Sequence, residues 1–76
     1  MSQSQYSAST LDVNATYMGT QFSCEITNIA WTGGNNFNGQ LDGVSITGTD
    51  INGQVTASGD YLGQNYTATG VVTGWN

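Results

Sequence analysis

The sequence contains no lysine, no arginine, no histidine, no proline and a single cysteine. Without Lys or Arg nothing in the chain can neutralise phosphates, so direct nucleic-acid binding is excluded. The P-loop lysine, arginine clamps for anionic substrates and basic patches for anionic membranes are excluded with it. Without His there is no imidazole relay at neutral pH. Cys24 has no partner for an intramolecular disulfide and no base or cation to activate its thiol, so a small buried side chain is expected of it. In an extracellular setting an intermolecular disulfide is its remaining role. No run approaches 18 apolar residues, so no membrane-spanning helix is expected. Residues 1–20 lack the basic and apolar regions of a secretory signal.

Five acidic residues leave a net charge of −5, and charged residues are only 7% of the 76, against about 25% in an average globular chain. Such sparse charge does not favour disorder. Tyr, Trp, Thr and Ala take the place of much of the usual aliphatic content, which is a palette for strands. The length allows one domain, and at 8.0 kDa a chain buries only about 60% of its unfolded surface. A lone core of that size is marginal, and neither a disulfide nor a metal reinforces it.

Residues 1–9 are small and polar without periodicity and are expected to form a flexible arm, with 10–76 as a single all-β domain. From Leu11 onward the sequence alternates. Segments with the same alternation begin at Leu11, Phe22, Val44, Val55 and Tyr66, a spacing of 11 or its double, and a Gly-Gly-Asn-Asn loop occupies the slot at 33. Regular spacing with turn residues between predicts an antiparallel meander of five or six strands, forming a sandwich or a small barrel that a neighbouring subunit completes where one chain falls short.

The turns fix the faces. Asn52-Gly53 is a strong hairpin signal. Centring there opposes Thr49 to Thr56, Thr47 to Ser58 and Ser45 to Asp60. Centring on Leu62-Gly63 opposes Ser58 to Thr67 and Thr56 to Thr69, and places Tyr66 over Gly59. A turn at Gly19-Thr20 would oppose Val13 to Ile26, Ala15 to Cys24 and Tyr17 to Phe22. One face is thus a set of Ser/Thr ladders. The other holds Val13, Cys24, Ile26, Val44, Ile46, Ala57, Tyr66 and Ala68, expected inside. Between Trp31 and Gly43, Asn38-Gly39 and Asp42-Gly43 compete as turns.

Few residues suggest chemistry. Asp12, Glu25, Asp42, Asp50 and Asp60 offer no defensible pair of carboxylates flanking a cleft, and Asp50-Ile51-Asn52-Gly53 is only a fragment of a calcium loop. Turn capping and solvation account for them better. No enzyme activity, cofactor or metal is expected. Trp31 and Trp75 with Asn35 and Asn36 form a candidate sugar-binding set, in which rings stack on apolar sugar faces and amides fix hydroxyls. Capping the ends of a small core is the commoner role for such rings.

The leading expectation is a non-enzymatic structural protein that associates with copies of itself as a filament, matrix or capsid-type subunit. Strand edges without Lys or Pro offer little resistance to pairing, and the ladder Ser45, Thr47, Thr49, Thr56, Ser58, Thr67 and Thr69 is a candidate assembly face. A carbohydrate-binding module is the alternative, with a glycan as partner. An acidic decoy for a basic protein surface is a minor one. An extracellular or virion-surface setting is expected ahead of a cytoplasmic one.

Overall fold

The computed structural model describes residues 5–76, and the first four residues of the expected arm 1–9 lie outside the described residues. A single 3-10 turn, Gln5–Ser7, precedes six strands: β1 (Leu11–Tyr17), β2 (Thr20–Gly33), β3 (Asn36–Leu41), β4 (Val44–Ile51), β5 (Gln54–Tyr61) and β6 (Gln64–Trp75). Each strand pairs antiparallel with the next, and β6 returns to pair with β1, closing a barrel. The meander is therefore a barrel rather than a sandwich, and one chain suffices to close it. Among the described residues no helix is long and apolar enough to cross a membrane.

Tight turns of one kind make the meander regular. Met18-Gly19, Asp42-Gly43, Asn52-Gly53 and Leu62-Gly63 all have both residues at positive φ, the pattern of type I′ turns whose twist matches that of the flanking strands. The registers expected for β4–β5 and β5–β6 are those observed, with Thr47 opposite Ser58 and Ser58 opposite Thr67. The first hairpin differs. Its turn is Met18-Gly19 rather than Gly19-Thr20, so Val13 faces Cys24 and Leu11 faces Ile26. The displacement is by an even number of residues, which leaves every side chain on its expected face. Gly at the second turn position, as in the other three hairpins, decides the matter.

Between Trp31 and Gly43 the competition is settled by a sixth strand. Asp42-Gly43 is the turn, and Gly39 lies in the middle of β3. A Cβ on Gly39 would sit 2.7 Å from Ile26 Cγ2 and 3.2 Å from the Thr27 carbonyl oxygen, so close strand approach explains this glycine. Just beyond, Asn28 adopts φ 53° at a register break between Thr27 and Ala30. This bulge turns β2 over: Ile26 faces inward before it, and Ile29 and Trp31 pack on the core after it.

Closing only six strands demands strong stagger. β2 meets β1 through residues 20–26 and β3 through 27–33, and the result is elongated, 41 × 23 × 19 Å. The end where β1 begins and β6 finishes is filled by Ala8, Leu11, Phe37 and Val55, all buried. Residues 6–9, part of the stretch read as a flexible arm, are docked there. The Trp31 indole N–H donates to the Ala8 carbonyl (3.0 Å), and the Ile29 N–H donates to that of Ser9 (3.0 Å). The Asn52 N–H reaches Tyr6 Oη at 3.4 Å. Sparse aliphatic content hides the reason from a composition-based reading: one alanine and one tyrosine complete the plug.

Candidate functional site: a cavity at the open end of the barrel

The opposite end, where the Met18-Gly19, Asp42-Gly43 and Leu62-Gly63 turns lie, is not plugged. A cavity of about 390 Å³ runs into the barrel from it. All eight residues expected inside, Val13, Cys24, Ile26, Val44, Ile46, Ala57, Tyr66 and Ala68, line that cavity. Only Val13, Ile26 and Ile46 are fully buried. The others stand half-exposed or exposed because they border the open cavity.

Small side chains create the void. Ala15, Ala57, Gly59, Ala68 and Gly70 occupy inward positions where a six-stranded barrel with larger residues would be solid. Gly70 could not be larger in any case, since its Cβ would lie 2.5 Å from Val13 Cγ1 and 2.8 Å from the Asn14 carbonyl oxygen. At the rim stand Phe22, Tyr61 and Tyr66, all exposed. Tyr66 is braced edge-on by Tyr17, with ring centroids 5.9 Å apart, and its hydroxyl donates to Gln64 Oε1 at 3.0 Å. Met18 and Leu62 are each 86% exposed at the tips of neighbouring hairpins and hold positive φ, an unfavourable conformation for bulky residues.

Cys24 and Asp42 are among the residues that line this interior. The Cys24 thiol is free and half-buried, and its pKa is raised by burial first and by the nearby Asp42 carboxylate second. Such a thiol is a poor nucleophile at neutral pH. Asp42 itself lies at the mouth, exposed, and is the one charged residue among those lining the cavity.

A different carboxylate is sealed in the plugged end. Asp50 is 0% exposed; its Oδ1 accepts the Gly53 N–H at 3.0 Å, capping the turn as expected. Its Oδ2 has no hydrogen-bond partner among the described residues. Burial pushes its pKa up, and the Gly53 bond offsets this in part. Among the described residues no group of three or more His, Cys, Asp or Glu is placed to hold a metal ion.

The sugar-binding set lies at the plugged end, away from the cavity. Trp31 is half-buried and wedged between Tyr6 and Phe37, at ring-centroid distances of 5.5 and 5.4 Å. Both contacts are T-shaped, with interplanar angles of 77° and 62°, so the indole is engaged in packing. Asn35 sits in the β2–β3 turn and Asn36 opens β3, both exposed. Trp75 ends β6 and is divided from β2 by the intervening β1. The candidate assembly face is outward, in straight rows across β4, β5 and β6: Thr47–Ser58–Thr67 and Thr49–Thr56–Thr69, with Ser45 opposite Gln40.

Sequence reasoning found the inner face and missed its hollowness, together with Phe22, Tyr61 and Asp42 as its mouth. The available signal was the run of Ala and Gly at inward positions, read as core rather than as missing volume. Compared with protein families, curated proteins and solved structures, the chain matches none of them.

Proposed function

We propose that this protein is a non-enzymatic binding barrel that holds a small apolar molecule in its cavity. The observation carrying this reading is an open, apolar-lined void of about 390 Å³ in so small a protein. That volume equals the share of on the order of a dozen waters, at about 30 Å³ each, and falls in the range of small-ligand pockets. Water in such a space finds few polar partners, so its displacement by an apolar chain is favourable. Medium-chain alcohols are suitable probes. Calorimetric titration with 1-octanol is expected to give one site per chain and a negative heat-capacity change, the mark of apolar burial. No heat at several temperatures, together with an unchanged melting temperature at saturating octanol, would refute the reading.

A second reading, self-association as a structural subunit, draws on the outward Ser/Thr rows. Both edges of the sheet are paired with each other, so assembly would have to run through the face or the rim rather than by strand addition. Thr47→Lys and Thr69→Lys place charge in the rows. Sedimentation of the parent and both variants over a concentration series tests the idea, and a monodisperse 8.0 kDa parent at millimolar concentration removes it.

A further inference from the structure

We infer that the cavity's ligand is a cationic amphiphile: an amine with an apolar body inside the barrel and its ammonium group at the mouth beside Asp42. This rests on the apolar-ligand reading above and adds the chemistry of the ligand's polar end. The whole chain has no Lys, Arg or His, so a carboxylate, sulfate or phosphate head would find no cationic side chain to pair with. It would also meet Asp42, the one charged residue among those lining the cavity, and a protein carrying a net charge of −5.

An ammonium group meets the reverse situation. Asp42 supplies a carboxylate, and the exposed rings of Phe22, Tyr61 and Tyr66 border the same opening. Aromatic faces attract a cation within about 6 Å of the ring centre. The carboxylate acts on the interior as well as on solvent, since it contributes to the raised pKa of Cys24.

The test compares three ligands of one chain length, octylamine, 1-octanol and octanoate, by calorimetry on the parent and on Asp42→Asn at pH 7 and low salt. Asn-Gly is the preferred type I′ pair, so the variant keeps its turn. The expected order is amine tightest and octanoate weakest. Asp42→Asn should weaken the amine by about fivefold, the upper range for an exposed ion pair, and leave octanol unchanged. Added salt should narrow the gap between amine and alcohol. If octanol binds but the amine gains nothing over it, or the gain survives Asp42→Asn, the cationic inference is wrong while the cavity reading stands. If octanoate binds as tightly as the amine, the inference is likewise wrong. If none of the three binds, the cavity reading itself has failed.

Discussion

Filling the cavity from its own wall should stabilise the protein and remove its ligand site together. Ala68, on β6, lines the void and is half-buried. Ala68→Leu adds three carbons pointing into empty space. At about 0.8 kcal/mol for each fully buried methylene the ceiling is about 2.4 kcal/mol. Partial exposure of the site reduces this to roughly 1 kcal/mol, which raises the melting temperature by about 4–8 °C in a domain of this size. The same side chain takes up space an octyl chain would fill, so octanol affinity should fall at least tenfold. Thermal denaturation and calorimetric titration on one preparation read both quantities. A destabilised variant with unchanged octanol binding would refute the reasoning, because it would mean that position 68 is already packed and the ligand lies elsewhere.

Other consequences follow from single residues. Asp50 has a raised pKa in the folded state, so the penalty for its burial is absent below the ordinary carboxylate pKa and grows as pH rises through the folded value. Stability measured by urea unfolding should therefore fall as pH climbs from about 4, and Asp50→Asn should flatten that fall; a parent curve rising over this window would contradict it. Gly70→Ala should cost about 1–3 kcal/mol by overpacking against Val13 and the Asn14 carbonyl, checked by the same unfolding curves, and a neutral result would show that β6 and β1 can part cheaply. Leu62→Asn replaces an exposed bulky residue at φ 53° with one suited to the turn and should stabilise by about 1 kcal/mol. A loss of stability in that variant would show that Leu62 packs on something in solution.

Much of the fold was legible because turn chemistry and alternation are local. Asn52-Gly53 and Leu62-Gly63 specified two registers, and the eight residues assigned to the inner face all point there. Three things were not legible. The bulge at Asn28 is a tertiary accommodation, placed where β2 passes from β1 to β3, and nothing in Thr27-Asn28-Ile29 announces it. Gly39 reads as a turn by itself, and only its contact with Ile26 shows why a strand needs it. The cavity depends on circumference: alternating Val, Ala and Gly make a solid interior in a flattened sandwich and a hollow one in a closed, strongly staggered barrel. For the same reason the sugar-binding set could not be judged from sequence. Whether Trp31 is a platform or a plug depends on Ala8 and Tyr6, residues that the sequence assigned to a free arm.

Methyl chemical-shift mapping with 1-octanol tests the central claim most directly. Titration should perturb the methyls of Val13, Ile26, Val44, Ile46, Ala57 and Ala68, which line the cavity, and leave Ile51 and Val71, exposed on the barrel, unmoved. Shifts confined to Ile51 and Val71, or no saturable shifts at all, would contradict the account.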